Sequence, residues 1–184
     1  MRRKEAEGMV PGLEVKFAGG TPILSDDHVI EGYASLFGMT DQGGDAVLPG
    51  AFEASLKRLT GKGDKVRMLW QHDPTRPIGV WDEVREDERG LWVKGRLLPD
   101  VAQAREAAAL IQAGAIDGLS IGYRTIRAER DQKGRRALVE VELWEVSLVT
   151  FPMLPEAKVG RKEADELREI AALFVAASEV LRTE

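Results

Sequence analysis

Short runs in which apolar and polar residues alternate recur along this chain of 184 residues. A period of two places every second side chain on one face of a strand, so each run predicts a half-buried β-strand. About seven runs stand out: Gly12–Ala18, Val29–Phe37, Val66–His72, Pro77–Val84, Leu91–Leu98, Gly118–Tyr123 and Val139–Val149. They predict a mainly β protein with a few helices (α+β), in which a closed or nearly closed antiparallel β-barrel of about seven strands would remove unpaired strand edges.

Helices and loops are predicted between these strands. One helix starts at Pro49, and a second is capped by Asp100, runs to about Ala113 and stops at Gly114. The apolar side of the first helix is formed by Phe52, Leu56 and Leu59. Asp73–Pro77 predicts a loop, because each proline disfavours helical geometry in the residue before it. The charged segment Glu86–Gly90 predicts a hairpin connection.

The last part of the chain has a different pattern. Pro152 and Pro155 end the alternation, and the residues from about Arg161 onward predict an amphipathic C-terminal helix. Its apolar stripe consists of Leu167, Ile170, Phe174, Ala177 and Leu181. We therefore expect a β-barrel domain over residues 1–158 and a helical tail over residues 159–184, which is removed by processing or binds a partner.

Composition excludes several classes of protein. The chain has no cysteine, so neither a disulfide framework nor a thiolate zinc site can form. With two histidines in all, we also expect no imidazole metal site. The net charge of −5 lacks the basic excess of a general nucleic-acid binder, and no apolar run reaches transmembrane length or follows the basic start as in a signal peptide. We expect no contact with nucleic acid or membrane.

A histidine, a serine and a glutamate each interrupt a strand face that is otherwise apolar. His72 ends its run on the face of Val66, Met68 and Trp70, and Ser120 lies two residues before Gly122 on another strand. Glu145 and Ser147 are predicted in line with Val139, Val141 and Leu143. A serine hydrolase requires these residue types, because the hydroxyl needs a base and the base needs a group that orients it.

The nucleophile and the base each have alternatives. His28 lies in a polar turn, which predicts a solvated side chain. His72 is either the base or a hydrogen-bonded histidine of the core. For Ser120 the alternative is an ordinary strand serine, but Gly122 would leave room for a substrate carbonyl on the same face. Ser147 is the competing nucleophile. We expect one of the two serines to lie within hydrogen-bond reach of His72.

The remaining roles are less determined. Glu145 would orient His72, or else form an ion pair with Arg124 or Arg127 of the neighbouring strand. The oxyanion formed during attack needs fixed donors, and the backbone N–H groups from Ser120 through Ile121 to Gly122 could supply them. The guanidinium of Arg124 is the other candidate. The chemistry needs no metal and no organic cofactor.

Seven sequence blocks in a fixed order resemble the prohead maturation proteases of tailed bacteriophages. They are Ile30–Phe37, Gly44–Asp45 with Pro49–Phe52, Met68–Asp73, Pro77–Gly79, Gly90–Gly95, Gly118–Tyr123 and Glu145–Thr150. The resemblance extends from about residue 28 to residue 158. It implies a β-barrel similar to that of the herpesvirus capsid-maturation proteases.

The resemblance also implies an activity and a site. The family's serine endopeptidases trim a scaffold protein, or the scaffolding segment of the major capsid protein, inside the immature shell in the host cytoplasm. By position, His72 and Ser120 match the family's histidine and serine. The herpesvirus enzymes use a second histidine after the serine, and this chain has none there, so Glu145 is our substitute. We expect a homo-oligomer that cleaves the capsid or scaffold protein and also itself. We expect its gene to be carried by a phage, or by a prophage in a bacterium.

Two other classes of function fit the same residues. A non-catalytic module for capsid assembly would keep the barrel and use its tail to bind a partner, and it would place no demand on the distance between Ser120 and His72. An esterase or amidase for small molecules would share the nucleophile but would need an enclosed apolar pocket. Contact between Ser120 and His72 would favour an enzyme.

Overall fold

The computed structural model describes residues 14–18, 23–24, 28–41, 43–130 and 134–151. These residues form nine strands and two helices. The strands are β1 Glu14–Ala18, β2 Ile23–Leu24, β3 Val29–Leu36, β4 Asp45–Val47, β5 Arg67–Trp70, β6 Asp73–Glu86, β7 Gly90–Leu97, β8 Gly118–Arg130 and β9 Arg136–Val149. The helices are α1 Glu53–Lys62 and α2 Ala102–Gln112. The mainly β prediction is confirmed, whereas the predicted helical tail lies outside the described residues.

One sheet connects all the strands, in the order β1-β8-β9-β5-β6-β7-β3-β2, with β4 beside β9. The sheet curls enough for β3 to contact both β1 and β8. In the described part of the chain, however, no ladder joins β1 to β2 at the two ends of this order. The prediction of a closed barrel is therefore wrong, and the fold is an open, curled sheet.

The sheet is also not fully antiparallel. Strands β4 and β5 run parallel to β9, with β4 beside Arg136–Leu138 and β5 beside Glu145–Leu148. Between these two contacts, the start of α1 lies along β9: the Val141 N–H donates to Ala51, and the Leu143 N–H donates to Ser55 Oγ at 2.9 Å. Helix α1 connects β4 to β5 and spans the stretch of β9 between their two pairings. It places the end of β5 next to the end of β9.

Helix α1 keeps the apolar face that its spacing predicts but begins later than Pro49. Phe52 is fully buried at the N-terminal boundary of the helix. Glu86 of β6 caps this end, because its carboxylate accepts the N–H groups of Gly50 and Phe52. Burial raises the pKa of the Glu86 carboxyl, and this effect outweighs the hydrogen bonds, which act to lower the pKa. A left-handed Gly63, with φ of 72°, ends the helix.

Two local predictions are wrong. Asp100 does not cap α2, because the boundary residue is Val101 and no side chain caps this helix end; Gly114, with φ of 72°, does follow the helix as expected. Asp73–Pro77 is the start of β6 rather than a loop. Proline excludes helix but not extended backbone, and the ladder with β5 is irregular here, which accommodates the missing N–H groups.

The hydrophobic core lies on one face of the sheet, under the two helices. From β9 and the strands beside it, the core includes Leu119, Ile121, Tyr123, Met68, Val146 and Leu148. Helix α2 contributes Ala104, Ala107, Ala108 and Ile111. Among the described residues, no helix is long and apolar enough to cross a membrane.

Candidate active site

A β-bulge in β9 decides which face of the sheet carries Glu145. Gly122 pairs with Glu145, but the next residue, Tyr123, pairs with Leu143, so Trp144 is an extra residue in β9. An inserted residue reverses the alternation of side chains beyond it. Leu143 therefore belongs to the core, whereas Glu145 is on the opposite face. The prediction that Glu145 and Ser147 are in line with Val139, Val141 and Leu143 is wrong for this reason.

His72 reaches the same face through a turn. Strand β5 ends at Trp70, which pairs with Asp73, so Gln71 and His72 form a two-residue hairpin connection. Both have positive φ, 53° and 61°. Hairpins of this length favour positive φ at both positions, usually with Asn and Gly, and other residues there are strained by on the order of 1–3 kcal/mol each. The prediction that His72 continues the face of Val66, Met68 and Trp70 is therefore wrong.

Glu145 and His72 are in direct contact. The distance from His72 Nδ1 to Glu145 Oε1 is 2.5 Å, and the side chains are 14% and 4% exposed. Arg124 instead pairs with Glu142 at 2.7 Å, and Arg127 pairs with Glu129 at 3.0 Å. The alternative of an ion pair between Glu145 and one of these arginines is therefore wrong. A buried carboxylate needs compensating hydrogen bonds, and an imidazole provides one.

Ser147 lies beside this pair and is fully buried. Its hydroxyl donates to Glu145 Oε2 at 2.5 Å and accepts the main-chain N–H of His72 at 3.2 Å. The same hairpin is held at Gln71, whose N–H donates to the Leu148 carbonyl at 2.9 Å. The Gln71 side-chain amide also donates to Thr150 Oγ1 at 2.6 Å. The turn that carries His72 is thus fastened to the last residues of β9.

Ser120 is directly across the β8–β9 ladder from Ser147, and it is also fully buried. Residues paired across antiparallel strands share a face, so Ser120 is on the face of Glu145 and His72. His72 Nε2 is buried and is not hydrogen-bonded to Ser120 in this structure. In free enzymes such hydrogen bonds are often long and tighten only with substrate bound. The nucleophilic role of Ser120 stays a prediction.

Gly122 has a different use from the one predicted. A side chain there would collide with Glu145, since an added Cβ would lie 2.7 Å from its Cδ and 2.8 Å from its Cγ. The missing side chain therefore makes room for the Glu145 carboxylate rather than for a substrate carbonyl. Glycine at this position leaves space for the carboxylate over the backbone of β8, from where it contacts His72.

The candidate oxyanion donors lie in β8. Ile121 and Gly122 are paired on both sides, with Lys16 and Val15 of β1 and with Val146 and Glu145 of β9. Arg124 is on the face of Gly122, and its guanidinium is held by Glu142. In the described ranges, no group of three or more His, Cys, Asp or Glu side chains is arranged to hold a metal ion.

Sequence reasoning found Ser147 only as a rival nucleophile, and it did not find Gln71. Their partners are 75 and 79 residues away in the chain, and no local pattern encodes such contacts. One signal was present: Ser147 follows Glu145 by two residues, the spacing that places two side chains on the same face of a strand.

Known proteins resemble this chain over most of its length. It is 35% identical over 161 residues to the prohead protease of Enterobacteria phage HK97, a match that covers 85% of this chain and 68% of the phage protein. It is 30% identical over 126 residues to the prohead protease of Escherichia phage T5, covering 67% of this chain and 57% of that protein.

A solved structure has the same fold. The capsid assembly protease of bacteriophage T4 superposes with a TM-score of 0.63 at 17% identity, over 76% of this chain and 98% of the T4 chain. The family described as caudovirus prohead serine protease matches residues 20–170. The resemblance drawn from the seven sequence blocks is confirmed. The chain belongs to the caudovirus prohead serine protease family.

Proposed function

We propose that this protein is a serine endopeptidase of prohead maturation that cleaves a scaffold protein, or the scaffolding segment of the major capsid protein, and itself. The observation that carries the proposal is the buried contact of 2.5 Å between His72 Nδ1 and Glu145 Oε1 on the face of Ser120. The names of the phage relatives support the same activity.

Each of the three residues has a role in this mechanism. Glu145 accepts the Nδ1–H of His72, which fixes the tautomer in which Nε2 carries the basic lone pair. Nε2 takes the proton of the Ser120 hydroxyl as its oxygen attacks the scissile carbonyl. Glu145 then stabilises the imidazolium by its charge. Without the carboxylate, the ring would have no group to select this tautomer.

The reaction proceeds through an acyl-enzyme. Collapse of the tetrahedral intermediate breaks the C–N bond while His72 gives the proton from Nε2 to the leaving amine. Water then attacks the ester carbonyl, and His72 takes a proton from the water. Breakdown of the second intermediate frees the carboxyl product, and the same proton returns to Ser120.

Strand β1 lies beside the proposed nucleophile. Ser120 is fully buried, and Phe17 of β1 pairs with it across the ladder. Ile121 and Gly122, whose backbone N–H groups are our candidate oxyanion donors, pair with the same strand, and one of the two N–H groups faces β1 because successive N–H groups point to opposite edges of a strand. We infer that the substrate chain replaces β1 along β8, in the mode of strand addition that many peptide-binding proteins use.

A proline in β1 tests this step. Phe17→Pro restricts the backbone and removes one N–H, so it weakens the pairing of β1 with β8. The initial rate of cleavage of a short peptide substrate should rise, while the Ser120→Ala form of the same variant stays inactive. An unchanged or lower rate in a folded variant would show that β1 does not cover the site.

The tail over residues 159–184 stays a proposal, as does homo-oligomerisation. We propose that the tail is removed by self-cleavage or binds the scaffold. Intact mass spectrometry of the protein after long incubation and from mature particles tests this. A tail that remains at full length in both samples would rule out its removal.

Co-expression with the capsid protein and its scaffolding segment tests the function itself. Ser120→Ala should abolish cleavage, because it removes the proposed nucleophile. Intact mass spectrometry of the capsid protein measures the cleavage. Ser35→Ala is a matched control: Ser35 is also a buried strand serine, 1% exposed, and its hydroxyl is not hydrogen-bonded. If cleavage survives Ser120→Ala and, separately, Ser147→Ala, neither serine is the nucleophile, and the alternative of a non-catalytic assembly module is favoured.

A further inference from the structure

We infer that Ser147 is a positioning residue of the site, which holds the Glu145 carboxylate and the His72 main chain in one geometry. The inference rests on the proposed function of His72 and Glu145. Ser147 is fully buried, and its hydroxyl donates to Glu145 of the same strand and accepts the main-chain N–H of His72 in the hairpin. In this mechanism Ser147 is neither the nucleophile nor the base.

The first contact fixes the carboxylate. Glu145 has two oxygens, and Oε1 accepts from His72. Oε2 is buried in the same region and receives the Ser147 hydroxyl at 2.5 Å. A hydrogen bond to a charged acceptor is stronger than a neutral one, so this contact resists rotation of the carboxylate. Without it, Oε1 is no longer held toward Nδ1.

The second contact holds the main chain of His72. Ser147 Oγ accepts the N–H of His72 at 3.2 Å, in a turn where His72 has φ of 61°. A left-handed conformation of a non-glycine residue persists only where its surroundings hold it. One hydroxyl therefore sets the backbone of the base and the side chain of its partner together. Ser120 pairs with Ser147 across the β8–β9 ladder, so the proposed nucleophile lies next to Ser147.

The experiment compares Ser147→Ala, Ser147→Thr and Ser55→Ala in the full chain. Ser55 is the matched control, because it too is a buried serine whose hydroxyl accepts a main-chain N–H, from Leu143 at 2.9 Å, but on the core face of the sheet, opposite to Glu145. Cleavage of a peptide gives kcat and KM. The ¹H NMR resonance of the His72 Nδ1–H reports the hydrogen bond to Glu145 directly, and His28→Gln identifies it, since the chain has two histidines.

We expect Ser147→Ala to lower kcat by about 10- to 100-fold with little change in KM, because small misplacements of catalytic groups have effects of this size. The Nδ1–H resonance should broaden or shift, since the proton exchanges faster from a loosened pair. Ser147→Thr, which keeps the hydroxyl, should restore both. Ser55→Ala should leave the resonance and kcat unchanged even if it lowers stability.

Two results would overturn the inference. An unchanged resonance and unchanged kcat in folded Ser147→Ala would show that Ser147 positions nothing. Equal effects of Ser147→Ala and Ser55→Ala on kcat would show a general structural role. Failure of the proposed function looks different, because then Ser120→Ala would still cleave. The resonance tests the positioning even in that case.

Discussion

The β6–β7 and β5–β6 hairpins each have a carboxylate at the turn, and these two carboxylates differ in burial and in partners. Asp87, in the β6–β7 hairpin, accepts N–H groups from Arg89 at 2.9 Å and Gly90 at 3.2 Å, and its side chain is 23% exposed. It also receives the Tyr33 hydroxyl at 2.8 Å. Glu145, beside the β5–β6 hairpin, is 4% exposed and has two partners, His72 and Ser147.

The difference separates a structural carboxylate from a chemical one. Asp87 satisfies the donors of its own turn, so its removal should affect stability and nothing at the site. Glu145 is buried with an ionisable ring, an arrangement that costs desolvation and is retained where the charge is used. Comparing substitutions in the two turns therefore tests whether the buried cluster is catalytic or merely holds the hairpin.

The largest expected effect is that of Glu145→Gln on cleavage. The amide has nearly the same shape but can present an N–H to Nδ1, which would stabilise the wrong tautomer of His72. In serine proteases the corresponding change lowers kcat by about 10⁴-fold. We expect a loss of that order, measured as kcat for a peptide substrate, with a far-ultraviolet circular dichroism spectrum like that of the wild type.

Asp87→Asn is the paired control for this prediction. It also replaces a carboxylate by an amide in a hairpin, but at the other turn, and its kcat should equal that of the wild type. If Glu145→Gln retained more than a tenth of the activity, Glu145 would be a structural residue like Asp87, and the third catalytic group would have to be sought elsewhere.

The second largest effect is expected from Gly122→Ala. Its Cβ would lie 2.7 Å from Glu145 Cδ, so the carboxylate must move away from His72. We expect kcat to fall by about 100-fold and the free energy of unfolding to fall by about 1–3 kcal/mol, as for other overpacked sites. Urea unfolding and peptide cleavage measure the two effects separately.

Gly61→Ala is the matched change without a collision. Among the described residues, no atom lies within 4 Å of a Cβ at Gly61, which is in α1, and alanine should stabilise the helix by about 0.5–1 kcal/mol. Its kcat should be unchanged. Wild-type activity in Gly122→Ala would mean that the carboxylate adapts and that its position over β8 is not needed.

The contrast between the turns also explains what the sequence could predict. The charged β6–β7 hairpin was recognisable because its partners are neighbours in the chain: Asp87, Arg89 and Gly90. His72 and Glu145 were recognisable as residue types, and their contact was correctly expected, but the faces on which they lie were not. The extra residue at Trp144 and the positive φ of His72 each redirect a side chain, and neither disturbs the hydrophobic pattern.

Topology was the other part that alternation could not supply. Each of β4 and β5 pairs with β9, which follows them by about 90 or 80 residues, and in parallel orientation. A period of two predicts that a strand exists but says nothing of its neighbour or direction. Neither the number of strands nor the avoidance of unpaired edges, on which the expectation of a closed antiparallel barrel rested, contains these pairings.

The smallest expected loss is that of Asp87→Asn in stability, and its size depends on pH. Burial alone would raise the pKa of the Asp87 carboxyl, but hydrogen bonds from the Arg89 and Gly90 N–H groups and from Tyr33 outweigh it and hold the pKa below its usual value. A depressed pKa means that the ionised form stabilises the fold at pH values above the unfolded pKa of about 3.9. At pH 7 we expect Asp87→Asn to be less stable by about 1 kcal/mol, since the site is partly solvated.

Acidification should remove this difference. As the pH falls through the lowered pKa, Asp87 is protonated in the folded protein, and its advantage over asparagine is lost. Urea unfolding of both proteins at pH 7 and again near pH 3 measures the change. A gap that stays constant would mean that the geometry of the turn, rather than the charge of Asp87, sets its contribution, and the two carboxylate turns would then differ in kind as well as in burial.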